Sequence, residues 1–197
     1  MLPGDLGAFP GQQDLRSELR HTPGICVLTG GQTGVDTTAA VTALRAGLAA
    51  HLFFPRGFRQ EDGPITDVRR RAFRGATLHE LPSPEFADRT WACVGLADAV
   101  VLVDPAGGEG CQETVRAART LGRPLLSDAG YGPGLGSGLG EVADWLERHG
   151  VRLLLIAGCR RSLLASAGRA SLAQAQVEKV IIAARQRHAR LTSAAPG

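Results

Sequence analysis

The sequence predicts an α/β fold in three layers, with helices on both faces of a mostly parallel sheet. Three observations predict it. Short apolar runs alternate with helical patterns along most of the chain, and alternating elements of this kind close into a parallel sheet. Two glycine turns, in residues 30–34 and 107–110, each stand between an apolar run and a helical pattern. The 197 residues suit one domain, and a hydrophobic content of 44% supplies its core.

In chain order, residues 1–23 are polar, carry Pro and Gly, and read as a flexible arm with one short helix over 12–19. The single domain covers 24–190 and leaves 191–197 as a flexible tail. Its first strand is the apolar run 25–29, followed by a helix over 33–46 that Gly47 terminates. Apolar 48–54 is the second strand. Residues 56–81 are dense in charge and show no sustained period, so they read as one long irregular segment. Ser83-Pro84-Glu85 opens a helix that runs to about 95 or 96. Residues 99–103 give the strongest buried-strand signal, followed by the second glycine turn and a helix over 111–121. A short strand at 124–126 precedes a Gly-rich loop, 129–140. A helix over 142–149, a strand over 152–157 and a long helix over 163–187 complete the domain, with Gly168 breaking the last helix in its first turn.

Composition narrows the function classes. The net charge is +3, and the basic charge is almost all Arg, since Lys179 is the one lysine. Arginine presents a planar fork suited to phosphate. The basic residues do not interleave with aromatics, which argues against nucleic-acid binding. Arg69-Arg70-Arg71 reads as a solvated charge run. Cys26, Cys93, Cys111 and Cys159 form no CxxC pair, so neither a zinc site nor a disulfide framework is expected. Residues 1–24 lack a signal-peptide pattern, and no apolar stretch reaches membrane-spanning length. The expectation is a cytoplasmic protein with no membrane association and no structural metal.

Ligands of parallel sheets bind beyond the carboxyl ends of the strands. That rule gathers the loops near Gly30, Arg56, Asp104 and Gly158 on one rim. Gly30, Gly31 and Gly34 allow close backbone approach, Thr33 can cap the next helix, and Asp36 lies in its first turn. Such a turn at a helix N-terminus suits an anion, although the Lys-Ser/Thr pair of a Walker A loop is absent. In the second turn, Gly107, Gly108 and Gly110 play the same part. Asp104 suits a ribose hydroxyl, a metal or a turn cap, and Glu109 and Glu113 are candidate acids. Arg56, Arg59, Glu61 and Asp62 crowd one loop, where the arginines can clamp phosphate and the acids orient them. Arg160-Arg161-Ser162 is another anion-competent corner. His51 and His79 stand isolated and read as structural, and no Ser/His/Asp triad can be assembled.

Four blocks of the chain resemble a family of proposed molybdenum-cofactor carriers. The family lies within the Rossmann-like superfamily of lysine decarboxylase-like proteins and nucleotide phosphoribohydrolases. The blocks are Leu28-Thr29-Gly30-Gly31-Gln32-Thr33-Gly34-Val35-Asp36, then Pro55-Arg56-Gly57-Phe58-Arg59-Gln60-Glu61-Asp62-Gly63-Pro64-Ile65, then Phe86-Ala87-Asp88-Arg89-Thr90 with 98–103, and then Gly110-Cys111-Gln112-Glu113-Thr114 through Pro124. They span about residues 25–127, with an echo at 157–160. The resemblance implies a Rossmann-like fold, a homo-oligomer, and a ligand like molybdenum cofactor, a pterin phosphate, or a related nucleotide phosphate. It implies that Gly30, Gly31, Gln32 and Thr33 line the anion site. Arg56, Arg59 and Glu61 match the family's charged loop, and Gly108, Gly110 and Thr114 match its second glycine turn.

The departures bear on chemistry. The phosphoribohydrolase relatives carry Pro-Gly-Gly-x-Gly-Thr-x-x-Glu, and Thr114 stands where their catalytic Glu would be. Cys111 replaces the motif's Thr, Cys93 a usual Asn, and Leu96 a usual Ser. Hydrolysis of an N-glycoside needs a carboxylate near the ribose, and Glu113, one position early, points about 100° away on a helix. The leading expectation is therefore a non-catalytic binder of a phosphorylated heterocycle. A nucleotide N-glycoside hydrolase using Glu109 or Glu113 is the alternative, and a nucleotide-ligand sensor or assembly protein is the second.

Overall fold

The computed structural model describes residues 8–103, 108–127, 134 and 138–193. The chain begins with α1 (Gln12–His21), β1 (Cys26–Thr29), α2 (Val35–Arg45) and β2 (Ala49–Phe54). A small hairpin, β3 (Arg59–Gln60) and β4 (Gly63–Pro64), is followed by α3 (Asp67–Ala72) and β5 (Thr77–Glu80). Next come α4 (Phe86–Leu96), β6 (Ala99–Val103), α5 (Glu109–Thr120) and β7 (Leu125–Ser127). The chain continues with α6 (Leu139–Arg148), β8 (Leu153–Gly158), α7 (Arg161–Ser166) and α8 (Ala170–Ser193). The Gly-rich loop at 129–140 falls mostly outside the described residues, and α6 already starts at Leu139.

The main sheet has six strands in the order β5-β2-β1-β8-β6-β7, and every pairing is parallel. It is the Rossmann-like α/β/α arrangement expected from the alternating pattern. Side chains alternate along each strand. Val27, Val101, Leu154 and Ile156 join the core shared with α2, α6 and α8. Cys26, Leu28, Val100, Leu153 and Leu155 join the core shared with α1 and α4 on the other face. α1 is tied down by its basic residues: Arg16 and Arg20 both pair with the half-buried Asp98, which also accepts the Arg152 and Leu153 amides at 3.0 and 2.9 Å.

Three expectations need correction. The segment 56–81 is not irregular: it holds the β3–β4 hairpin, α3 and the edge strand β5. Its polar sequence reflects edge position, since β5 is only half-buried and pairs on one side with β2. The first helix starts at Val35 rather than Thr33, because Gly34 takes φ 85° and ψ −126° and cannot belong to a helix. The last helix does break at Gly168, but its bounds are wider than expected: α7 starts at Arg161 and α8 runs on to Ser193.

The topology forms a crevice. β1 leads into α2 on one face, β6 leads into α5 on the side of α4, and β8 lies between the two strands. The chain thus reverses its winding direction across β1, β8 and β6. Crevices at such reversals, outside the carboxyl ends of the strands, are where open α/β sheets bind ligands.

Candidate functional site at the carboxyl rim of the sheet

The first glycine turn packs against the loop that follows β8. A Cβ on Gly34 would lie 2.5 Å from the Cys159 carbonyl oxygen and 2.7 Å from the Arg161 amide nitrogen. Val35 N–H donates to that same Cys159 carbonyl at 3.1 Å. Three amides of this turn, those of Gly31, Gln32 and Thr33, are satisfied by the protein's own acceptors. Gly31 N–H donates to Thr29 Oγ1 at 3.3 Å, Gln32 N–H to Asp36 Oδ2 at 3.1 Å, and Thr33 N–H to Gln32 Oε1 at 2.9 Å.

Asp36 is buried in the first turn of α2 and faces Arg89 of α4, whose Nη1 lies 3.3 Å from Oδ2. Burial pushes the Asp36 carboxyl up, and the Arg89 guanidinium with the Gln32 and Gly30 amides opposes only part of that rise. A Cβ on Gly30 would overlap the Arg89 guanidinium, so any larger residue there would have to displace it from Asp36. Arg89 Nε is buried and has no hydrogen-bond partner among the described residues. Arg89 lies 6.0 Å from the Phe86 ring, and the exposed Arg59 approaches the same ring at 5.5 Å. This cluster puts two guanidinium groups and a phenyl ring at the N-terminus of α4, on the rim.

The charged loop reaches into the crevice through Glu61. Its carboxylate accepts from Thr33 Oγ1, from Ser162 Oγ, and from Ser162 N–H at 3.3 Å, and Arg160 Nε lies 3.5 Å away. Burial alone would raise this carboxyl. The hydrogen bonds from Ser162 and Thr33, with the charge of Arg160, outweigh it and hold it below the usual range. Glu61 N–H donates to Gln32 Oε1 at 2.8 Å, and the buried Gln60 donates to the Gly31 carbonyl at 2.6 Å. The corner at Arg160 therefore already holds an internal carboxylate.

Behind Glu61, Asp62 takes both Arg69 Nη atoms, at 2.7 and 2.5 Å, and Arg161 at 2.8 Å. The charge run at Arg69 is thus a clamp on this loop at its first residue. Arg69's hydrogen bonds bring the Asp62 carboxyl down to about 2. The sign follows: the folded value lies below the unfolded one, so the contribution is full above about pH 3.8 and disappears as pH falls toward 2. Urea midpoints measured from pH 6 to pH 2 should show the Asp62→Asn variant losing less stability on acidification than the parent. The carboxylate is exposed, so the difference should stay under about 1 kcal/mol.

The second glycine turn meets the same crevice. Gly108, the N-cap of α5, lies against Leu163 of α7, where an added Cβ would be 2.8 Å from Cδ1. α5 has no side-chain cap, and the amides of Glu109 and Gly110 have no hydrogen-bond partner among the described residues. A Cβ at Gly110 would meet nothing within 4 Å. Thr114 is buried, and its hydroxyl donates to the Gly110 carbonyl at 2.9 Å. Cys111 is buried with its Sγ 3.7 Å from Cys159 Sγ. Asp104 and Gly107 lie outside the described residues.

The two candidate acids differ in setting. Glu109 is exposed at the open end of α5. Glu113 turns toward α4, accepting from Trp91 Nε1 and from Arg116 at 2.9 Å. Arg56 is exposed, held through its backbone N–H to the Ser83 carbonyl at 2.8 Å. The histidines read as isolated are a pair: His51 Nδ1 lies 2.9 Å from His79 Nε2, on neighbouring strands β2 and β5. Burial, then the neighbouring ring, brings His51 down to about 4.

Sequence reasoning gave Arg89 and Gln60 no role of their own and took Ser162 only as part of an anion-competent corner. Their partners Asp36, Gly31 and Glu61 lie far along the chain. The nearest available signal was Arg89's place in the third family-like block. Among the described residues, no group of three or more His, Cys, Asp or Glu is arranged to hold a metal ion. No described helix is long and apolar enough to cross a membrane.

The sequence pattern of the circularly permutated YpsA SLOG family matches residues 27–181. A crystal structure of a candidate molybdenum carrier protein from Syntrophus aciditrophicus SB superposes with a TM-score of 0.63 at 22% identity, covering 81% of this chain and 96% of that one. At this identity the likeness shows a shared fold. No curated protein matches the chain. The family match and the shared fold both agree with the resemblance read from residues 25–127.

Proposed function

Since this chain belongs to the circularly permutated YpsA SLOG family, we propose that its carboxyl rim binds a phosphorylated heterocycle and does not turn it over. Molybdenum cofactor, or a related pterin or nucleotide phosphate, is the ligand class. The observation that carries this reading is the contrast between the two glycine turns. The Gly31, Gln32 and Thr33 amides of the first are closed by internal acceptors, whereas the Glu109 and Gly110 amides of α5 have no partner among the described residues and a Cβ on Gly110 would meet nothing within 4 Å. A helix N-terminus favours a phosphate through free N–H groups and its dipole.

The phosphate is assigned to the start of α5, with Gly108 and Gly110 giving access and Arg160 near by on the β8–α7 loop. The first turn forms the opposite wall: Gly30, Gly31, Gln32, Thr33 and Asp36 are stiffened by Arg89, Gln60 and Glu61. Arg56 and Arg59 supply charge on the outer rim, and the Phe86 ring offers a flat apolar face to a heterocycle. A carrier role, rather than glycoside hydrolysis, is supported by Glu113, which is committed to Trp91 and Arg116, and by Thr114, which bonds its own helix.

Calorimetric titration of AMP, adenosine and a pterin phosphate tests the reading. The phosphorylated compounds should bind, and adenosine should bind more weakly by about tenfold or more, the value of one charge-assisted hydrogen bond. Arg160→Ala should weaken AMP by a similar factor. Equal binding of AMP and adenosine, or no binding of any phosphate, would sink the proposal.

A further inference from the structure

Two of the four cysteines meet at the base of this rim. Cys111 Sγ lies 3.7 Å from Cys159 Sγ, and both residues are buried. Cys111 belongs to the first turn of α5, one residue after Gly110. Cys159 follows β8, and its carbonyl receives the first amide of α2, Val35 N–H. The two sulfurs therefore stand between the second glycine turn and the loop on which the first one packs. Cys26 and Cys93 are also buried, which holds each thiol near 12, and neither sulfur lies beside another cysteine sulfur among the described residues.

We propose that Cys111 and Cys159 form a redox-sensitive dithiol, and that its oxidation to a disulfide stiffens the start of α5 and lowers the ligand affinity of the rim. The statement about affinity rests on the proposed ligand site; the statement about the disulfide does not. A disulfide has an S–S distance of about 2.05 Å, so the sulfurs must approach by about 1.7 Å from their 3.7 Å separation. That movement draws the first turn of α5 toward the β8–α7 loop and narrows the space over Gly110.

A peroxide is the oxidant. The sulfur of Cys111 attacks one peroxide oxygen, the O–O bond breaks, and a sulfenic acid forms with release of water. The sulfur of Cys159 then attacks the Cys111 sulfur, the S–O bond breaks, and a second water leaves. Two thiol protons and two electrons pass to the peroxide, giving one disulfide and two waters overall. Cys111 is assigned the first step because it keeps 4% exposure beneath the exposed Glu109 and Gly110, against 1% for Cys159.

The test uses the full chain, reduced and then exposed to a small excess of hydrogen peroxide. Intact mass should fall by about 2 Da, the two hydrogens lost in forming a disulfide. Non-reducing peptide mapping should place the bond between Cys111 and Cys159. Cys111→Ser and Cys159→Ser should each abolish it, whereas a Cys26→Ser, Cys93→Ser double variant should retain it. Hydrogen exchange at residues 108–112 should slow on oxidation, and AMP affinity should fall about fivefold or more, a coupling of ordinary size, until dithiothreitol restores it. Peroxide treatment that leaves the protein folded but gives no Cys111–Cys159 bond overturns the proposal. A bond that changes neither exchange at 108–112 nor AMP affinity overturns the coupling. If the reduced chain does not bind AMP while the disulfide forms and exchange slows, the dithiol stands and the ligand assignment falls.

Discussion

Gly34→Ala is expected to destabilise the protein by about 3 kcal/mol or more, a loss in the range of forced backbone strain plus overpacking. Two independent costs meet at this residue. Its backbone takes φ 85° and ψ −126°, a region that only glycine occupies readily. An added methyl would also press on backbone, 2.5 Å from the Cys159 oxygen and 2.7 Å from the Arg161 nitrogen, neither of which can rotate away. The variant should lower the urea midpoint at an unchanged slope. It should weaken AMP binding as well, because separating the β1–α2 turn from the β8–α7 loop opens both walls of the crevice. A midpoint within about 0.5 kcal/mol of the parent, the range of neutral surface changes, would show that this contact does not hold the rim together.

Arg89→Met is the second large effect, with an expected loss of about 3 kcal/mol at neutral pH, as found when one member of a buried ion pair is removed. The methionine fills much of the arginine's volume but leaves Asp36 buried without its counter-charge. The pH dependence separates this cause from lost packing. The folded Asp36 carboxyl titrates above its unfolded value, so the folded state holds the extra proton. Stability from this group is full below about pH 3.8 and declines as pH rises through the folded value. Without Arg89 that folded value rises further and the decline becomes larger. The Arg89→Met penalty should therefore grow from pH 5 to pH 8, and adding Asp36→Asn should recover most of it at pH 8. A penalty that is flat with pH would mean that Arg89 acts through packing alone.

These two residues also show what the sequence could reveal. β1, β6 and β8 are legible because strands covered on both faces read as unbroken apolar runs, such as Ala99–Val103, in which every residue is buried. The hinge at Gly34 is half-legible: the glycine announces a turn, yet nothing local says that the turn rests on Cys159, 125 positions on. β5 escaped because an edge strand of Thr, Leu, His and Glu shows neither an apolar run nor clean alternation. Arg89 escaped for a different reason. Its partner Asp36 is 53 positions away and on another helix, and only the parallel sheet between them makes the pair. The His51–His79 and Cys111–Cys159 pairs are of the same kind. A periodic pattern reports burial, but the identity of a buried neighbour is fixed by topology. The glycine turns were legible as turns; that the Gly31, Gln32 and Thr33 amides of the first meet Thr29, Asp36 and Gln32, while those of Glu109 and Gly110 have no partner among the described residues, was not.

The measurement that bears most directly on the central claim is native mass spectrometry of the freshly purified protein, followed by release and identification of any bound small molecule. The account predicts a bound species that carries a phosphate and a heterocycle, lost from a Gly110→Glu variant whose side chain would fill the open space at the start of α5. Recovery of no bound species, together with no measurable affinity for pterin phosphates or nucleotides, would contradict it.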